Sequence, residues 1–165
     1  PIENGSKEEQ NAKLKAFYYW NKIKKPILSV DNGLYLNDLS KDDQPGVFIH
    51  RLNRNENINS STTEIFSYWY NKIKKYNSLN CKLRKALVLY DGKKMHTHTI
   101  ETFFSLHLPG YDSISELESN PLNHFLVPNG FGKALSDMNM NDRRKYERGY
   151  AQDVQSLFKK AGLIV

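Results

Sequence analysis

The sequence of 165 residues contains one cysteine, Cys81, and no apolar run near the roughly 20 residues that a membrane-spanning helix requires. A single thiol excludes an intramolecular disulfide framework and any zinc site built from several cysteines. The glycine-rich phosphate loops GxGxxG and GxxxxGK and the zinc motif HExxH are also absent. We therefore expect a cytoplasmic protein, or one delivered to the cytoplasm as part of a larger effector.

Aromatic side chains, in contrast, are abundant: they make up 12% of the residues and include ten tyrosines, enough apolar area for a folded chain. The length suits a single domain covering residues 1–165. Apolar spacing predicts helices over residues 8–25, 61–77 and 142–161, a short helix in SISELES, and strands in DNGLYLNDL, VFIHRL, HFLV and KALVLYDGKKMHTHTIETFF. This order predicts an α+β fold in which a small, mostly antiparallel sheet packs against three main helices.

Several local signals support these elements. Pro26 ends the first helix, and Ser61 with Glu64 forms a capping box that opens the second. The dipeptide Asp91-Gly92 between two β-rich runs predicts a tight hairpin. Gly162 stands where the last helix should stop.

Two segments fifty residues apart, FYYWNKIKK (17–25) and SYWYNKIKK (67–75), agree at six of nine positions. The identity is confined to these nine residues, so repeated use of one helix-end chemistry explains it better than a duplication, which stays open. We expect the aromatic residues of both segments to pack inward. The lysines would crowd the last helical turn, where the helix dipole favours cations.

Positive charge is concentrated in one part of the chain. The net charge is +6, and residues 61–100 hold eight basic against two acidic residues, whereas the remaining parts are nearly balanced. Such a segment fits a polyanion, because phosphate neutralisation releases counterions, although a solvated lysine-rich face explains it as well. The predicted nucleic-acid-binding residues are the cations Lys72, Lys74, Lys75, Lys82, Arg84, Lys85, Lys93 and Lys94, with Trp69, Tyr70 and Tyr76 stacking on bases.

The triplet His96-Thr97-His98 lies in the second strand of the predicted hairpin. Residues i and i+2 of a strand share a face, so both imidazoles would point to one side. They could hold a divalent metal ion, with His50 as the best-placed third ligand, although the cofactor is otherwise unknown.

A final helix that carries Tyr146 and Tyr150 follows this HxH strand. Together with the strand and helix order from Val47 onward, it resembles the plan of the HUH nicking endonucleases. The resemblance implies a metal at the histidine pair and a tyrosine that attacks a DNA phosphate. Thr97 departs from the hydrophobic residue of that pattern, and no lysine follows either tyrosine at the usual spacing. Their i, i+4 spacing also fits the buried stripe of an amphipathic helix.

Two further chemistries are open to the same histidines. His96 or His98 could act as a general base in metal-independent RNA cleavage, with the neighbouring lysines and arginine stabilising the phosphate charge. Alternatively, His96 could activate Cys81 across the hairpin, as in a cysteine hydrolase or deamidase acting on protein. A lone cysteine is more often a packed small hydrophobe.

We therefore predict a nuclease that cleaves phosphodiester bonds, RNA rather than DNA, with His96, His98, Tyr146, Tyr150 and Cys81 as candidate catalytic residues. A non-enzymatic nucleic-acid-binding module and the Cys–His hydrolase are the alternatives. The expected partner is nucleic acid, with a protein partner or inhibitor as a further candidate and no membrane. As part of an effector, the domain would act as a toxin.

Overall fold

The computed structural model describes Pro1 and residues 3–52, 60–76, 79–109 and 120–164. These residues form three helices and one four-stranded antiparallel sheet, which confirms the predicted α+β class. In chain order, the elements are α1 (Glu8–Ile23), β1 (Ile27–Leu36), α2 (Thr62–Tyr76), β2 (Leu79–Tyr90), β3 (Met95–Leu106), β4 (Leu126–Pro128) and α3 (Met140–Lys160). Short 3₁₀ turns cover Pro121–His124 and Leu135–Asp137. None of the helices in these ranges is long and apolar enough to cross a lipid bilayer.

The helix ends follow from local hydrogen bonding. At the start of α2, the Ser61 amide donates to Glu64 Oε2 (2.7 Å) and the Glu64 amide donates to Ser61 Oγ (3.3 Å), which confirms the capping box. The side chain of Asn139 accepts from two backbone amides at the start of α3. Gly162 adopts a φ of 70° just beyond its end, a left-handed conformation that favours glycine.

The strands follow one another across the sheet in the order β1-β2-β3-β4, all antiparallel. The predicted hairpin is β2 and β3, and Asp91 Oδ1 closes its turn by accepting from the amides of Lys93 and Lys94, both at 2.7 Å. In this register, Asn32 of β1 lies beside Lys85 of β2, and Lys85 lies beside Ile100 of β3.

The two faces of the sheet carry different layers. One face, called here the α3 face, packs against α2 at one end through a cluster that includes Trp69, Leu83 and Phe104. At the other end, Leu87 and Leu89 pack against Leu157 of α3. On the opposite face, called the α1 face, two small residues of α1 pack on the middle of β2. The α1 face is therefore covered mainly by one helix.

The segment between β1 and α2 differs from the prediction. VFIHRL forms turns rather than a strand, and the one isolated bridge to the sheet in the described residues lies just before it, between Leu34 and Gly46. The Gln44 side chain takes the place of a strand partner, accepting from the Leu36 amide and donating to the Leu36 carbonyl, each at 2.7 Å. β1 also begins earlier than predicted, at Ile27. The helix predicted in SISELES lies outside the described residues.

The two NKIKK segments do not pack alike. In α2, Trp69 and Ile73 are fully buried, as predicted for the aromatic helices. In α1, the inward expectation was wrong: Phe17 and Ile23 are 50% and 53% exposed, because Ala12 and Ala16 form the buried face. Small residues let α1 lie close to β2.

Candidate functional site

The two strand histidines do lie on one face, the α3 face, but each has a carboxylate neighbour. His98 Nε2 lies 2.9 Å from Asp153 Oδ1 and so links β3 to α3. His96 Nε2 lies 3.8 Å from Asp91 Oδ2 in the hairpin turn. His50 lines cavities beside β1 that neither strand histidine lines. No group of three His, Cys, Asp or Glu side chains that could hold a metal is present in the described ranges.

Of the predicted nucleophiles, Cys81 is buried, whereas Tyr146 and Tyr150 are half-buried. Tyr146 packs edge to face on Phe104 and Phe131, and burial raises its pKa to about 12. Cys81 is 1% exposed, and burial raises the pKa of its thiol to about 12, opposite to what a thiolate nucleophile needs. In the strand register, Cys81 faces Phe104, whereas His96 faces Leu89, eight residues further along β2. The structure therefore forms no Cys81–His96 pair.

The predicted phosphate-binding cations are divided between the two faces. Lys82 and Arg84 lie on the α1 face and pair with Glu101 at 3.1 and 3.2 Å. Arg84 Nε also lies 3.2 Å from the buried carboxylate of Glu8. Lys85 lies on the α3 face. Strand alternation thus prevents the three cations from forming one surface.

The remaining predicted cations lie at the end of α2 and in the hairpin turn. Lys72 donates to the Tyr68 hydroxyl at 2.9 Å, and Lys75 Nζ lies 5.4 Å from the centre of the Tyr76 ring. Lys74 is exposed on the last turn of α2, and Lys93 and Lys94 are exposed in the turn between β2 and β3. Trp69 is fully buried, so its ring cannot stack on a base; Tyr70 is half-buried against the core.

Lys85 is a charged residue within an apolar row of side chains. The other β2 side chains on the α3 face are Leu79, Cys81, Leu83, Leu87 and Leu89, all apolar. The ammonium lies 4.8 Å from the centre of the Tyr150 ring, and no carboxylate of the described chain lies within ion-pair distance. Burial lowers its pKa, while Glu147 acts in the opposite direction. A desolvated lysine without a close anion marks a site where an anionic ligand would be stabilised.

A cavity of about 210 Å³ opens above Lys85. Its polar lining comes from β1, from the segment before α2, from the 3₁₀ turn before β4 and from the first half of α3: Asn32, His50, Asn120, Asn123, Arg143 and Glu147. Burial lowers the pKa of His50, so the neutral imidazole is favoured there. The cavity therefore combines two cations, a neutral imidazole and one carboxylate.

A second cavity, of about 240 Å³, lies across the edge of β1 and shares Asn32, Ile49 and His50 with the first. At its centre, Lys15 Nζ lies 2.6 Å from Asp31 Oδ1, and Asn11 Nδ2 donates to Asp31 Oδ2 at 3.4 Å. Asp31 is 8% exposed, and burial raises the pKa of its carboxyl, although Lys15 and Asn11 act to lower it. A carboxylate with a raised pKa is better suited to accept a proton near neutral pH.

The N-terminal segment contributes Glu3 to the lining of this second cavity. Arg51 Nη1 donates to the Glu3 carbonyl at 2.8 Å, and the Glu3 carboxylate lies 3.6 Å from Lys15 Nζ. The candidate functional site therefore consists of two cavities that meet at Asn32 and His50 beside the outer edge of β1. Among its residues, His50, Lys85 and Tyr146 were predicted from the sequence, all three for another chemistry.

The chain matches no protein-family model and no curated protein sequence. Its fold is similar to solved structures. The Ham1 protein of Staphylococcus aureus matches with a TM-score of 0.68 and 14% identity, over 96% of this chain and 80% of that one. A HAM1 protein of Coxiella burnetii matches with a TM-score of 0.66 and 15% identity, over 96% and 79% of the two chains.

A third similar structure carries an activity in its name. The nucleoside-triphosphatase and dITP/XTP pyrophosphatase of Mycobacterium abscessus matches with a TM-score of 0.59 and 16% identity, over 93% of this chain and 78% of that one. At these identities, the likeness shows the fold.

The likeness overturns the functions predicted from the sequence. The similar structures are Ham1 proteins and a pyrophosphatase of nucleoside triphosphates, rather than nucleases or nucleic-acid-binding modules. The nuclease hypothesis was wrong, and so were the resemblance to HUH endonucleases, the nucleic-acid partner, the Cys–His hydrolase and the toxin role. The physical reason lies in the sheet, which separates the predicted cations and gives the strand histidines carboxylate neighbours.

Proposed function

We propose that this protein hydrolyses a free nucleoside triphosphate to the monophosphate and pyrophosphate at the edge of β1. The observation that carries the proposal is the desolvated Lys85 ammonium, which faces a cavity next to the buried Asp31 and its partner Lys15. The shared fold with a nucleoside-triphosphate pyrophosphatase supports the same class of substrate.

The charge of the two cavities suits a triphosphate. Lys85 and Arg143 line the first cavity, and Lys15 and Arg51 line the second. Cations in a site with little water stabilise the charge that develops on phosphate oxygens more strongly than they would in bulk solvent. A phosphate chain lying along the edge of β1 would contact both groups, since the cavities share Asn32 and His50.

Asp31 is the proposed general base. It would take a proton from water as the water oxygen bonds to the α-phosphorus, and the bond from that phosphorus to the bridging oxygen would break, releasing pyrophosphate. The raised pKa of Asp31 favours this proton transfer, and Lys15 and Asn11 fix the orientation of its carboxylate. Lys85 and Arg143 would bind the phosphate oxygens.

Divalent cations in nucleotide enzymes are usually held by substrate phosphates together with one or two carboxylates. The described residues form no larger preassembled set, but Glu3 and Glu147 line the two cavities and would supply such carboxylates. A bound Mg²⁺ would neutralise phosphate charge. We therefore propose the magnesium complex as the substrate and expect chelation with EDTA to abolish turnover.

The test is a product assay with dITP, XTP and ATP, separating monophosphate and pyrophosphate by anion-exchange chromatography. Asp31→Asn should lower kcat by about 100-fold or more, the usual scale for a general base. Asp38→Asn is the matched control, because Asp38 is exposed shortly after β1. Absence of both products from the parent protein, or full activity of a folded Asp31→Asn variant, would refute the proposal.

A further inference from the structure

A groove of about 760 Å³ runs between α3 and the outer edge of β3. Its volume lies within the range of small-molecule sites and exceeds that of both cavities beside β1. Lys85, Tyr146 and Glu147 line both this groove and the first cavity of the candidate site. The groove therefore adjoins the proposed phosphate site.

One wall is a face of α3 formed by Tyr146, Gly149, Tyr150 and Asp153, which follow helical spacing. Gly149 stands in the middle of the helix, where glycine is unfavourable. A Cβ placed on it would meet nothing within 4 Å, so packing inside the protein does not require glycine there. Because Gly149 has no side chain, the groove is open at this point of α3.

The facing wall is the backbone edge of β3. The Phe103 carbonyl accepts from the Asn129 amide at 3.1 Å, and the His107 amide donates to the Phe125 carbonyl at 3.0 Å, so odd-numbered peptide groups point away from β2. By this alternation, Glu101 directs its backbone N–H and C=O outward, beyond the point where β4 ends at Pro128. Glu101 thus offers one donor and one acceptor beside the groove.

We propose that this groove binds the ring of a nucleobase, packed against Tyr150 and Gly149, with its polar edge against the peptide groups of Glu101. A flat ring fits between a helix that lacks a side chain and a strand edge. A base presents adjacent donors and acceptors, which match a peptide N–H and C=O. Side chains of both charge signs line the groove, including Lys145 and Asp153, so a neutral ring suits it better than an ion.

The inference deepens the proposed function and rests on it for the source of the ring, which is either the base of the hydrolysed triphosphate or a second nucleoside. Binding itself requires no turnover. Inosine, which carries no phosphate, is therefore the probe. We expect saturable amide NMR shifts at Glu101 and Gly149 when inosine is titrated into the full chain.

Gly149→Leu should weaken inosine binding by about tenfold or more, as filling a pocket with an extra alkyl group does. Ala151→Leu is the matched control, because Ala151 is exposed on the same helix, and its affinity should equal that of the parent. Gly149→Ala should raise the Tm through helix propensity while weakening binding less, which separates a ligand role from a structural one. Its Tm also keeps the test informative if the leucine variant does not fold.

Two results would overturn the inference: no inosine binding by the parent at millimolar concentration, or unchanged affinity in folded Gly149→Leu and Gly149→Ala variants. Competitive inhibition of triphosphate hydrolysis by inosine would identify the ring as the substrate base, and noncompetitive inhibition would identify a second ligand. Inosine binding without any hydrolysis would refute the proposed function alone. Hydrolysis that depends on Asp31 without inosine binding would refute the groove alone.

Discussion

Lys85 is a charged side chain in an otherwise apolar row of β2, half-buried against Tyr150. Burial lowers its pKa, so the unfolded chain binds the proton more tightly than the native state does. Below its usual pKa, this difference costs stability, and the cost falls as pH rises. Lys85 therefore lowers the stability of the folded protein, and its charge is better explained by binding of an anionic ligand.

The first prediction concerns Lys85→Met, which removes the ammonium but keeps a long flexible side chain. We expect the KM for the nucleoside triphosphate to rise by about tenfold or more, because a charge-assisted contact to phosphate is lost. The free energy of unfolding at pH 7 should stay level or increase, since the desolvated charge is removed.

The matched control is Lys82→Met, in the same strand but on the α1 face and paired with Glu101. Its KM should remain near that of the parent protein. Equal KM values for the two methionine variants would contradict the role of Lys85.

The second prediction concerns pH and His50. Burial lowers the pKa of His50, so in the unfolded chain the imidazole gains a proton at a higher pH than in the native state. The contribution of His50 to the free energy of unfolding should therefore be fully present above the unfolded pKa of about 6.5. It should be lost as pH falls below that value. Urea unfolding between pH 8 and pH 5 measures this slope. His50→Asn should flatten it, and an equally steep slope in that variant would assign the loss to other groups.

At the scale of elements, the β2–β3 hairpin was the best predicted part of the chain. Its dipeptide Asp91-Gly92 determines the turn: the Asp91 carboxylate accepts two amides, and Gly92 has a φ of 94° that other residues rarely adopt. The Trp20 ring of α1 rests directly on Gly92, where an added Cβ would lie 2.7 Å from Nε1. The turn is therefore also a docking point for α1.

The third prediction compares Gly92→Ala with Gly130→Ala. Both glycines have a positive φ, 94° and 88°, so both variants pay backbone strain of about 1–2 kcal/mol. A Cβ on Gly130 would meet nothing within 4 Å, whereas one on Gly92 meets Trp20. We expect the Gly92 variant to lose about 1 kcal/mol more in the free energy of unfolding, the scale of overpacking. Equal losses in urea titrations would show that the Trp20 ring moves away freely.

The strand predicted in VFIHRL shows where element prediction failed. Its β-branched and aromatic composition resembles that of a strand, but composition does not say whether a neighbouring strand edge is available. Gly46 bridges Leu34, and the Gln44 side chain satisfies Leu36, so the segment turns away from the sheet. Val47 and Ile49 are buried all the same, which explains the apolar pattern.

At the scale of the whole molecule, α3 has two differently supported halves. Its C-terminal half packs on β2 through Leu157, which is 1% exposed. Its N-terminal half carries Arg143 and Tyr146 over the candidate site. Packing at one end therefore fixes where Arg143 and Tyr146 lie at the other.

The fourth prediction is that Leu157→Ala lowers the free energy of unfolding by about 2–5 kcal/mol, the usual cost of a leucine-sized cavity. Leu163→Ala, at a position that is 40% exposed, should change it by no more than about 0.5 kcal/mol. Urea denaturation of both variants gives the comparison. A cost near that of the control would mean that α3 is not anchored at Leu157.

The sequence predicted the fold class and the three helices α1, α2 and α3 of the described residues, because those depend on periodicity, caps and breakers within one segment. The candidate site could not be found in this way. Lys15 and Asp31 come from a helix and a strand, and they meet only because Ala12 and Ala16 let α1 lie close to the sheet. One signal was available: Lys85 interrupts a row of alternating apolar residues, and such a residue is either paired or functional.

The terminal place of β1 in the sheet has one further consequence. A strand in the interior would wall off its two sides from each other, and Asp31 and Lys85 would serve separate compartments. Because no strand among the described residues pairs with β1 on its outer side, the proposed triphosphate would reach around this margin and meet chemical groups that project in opposite directions.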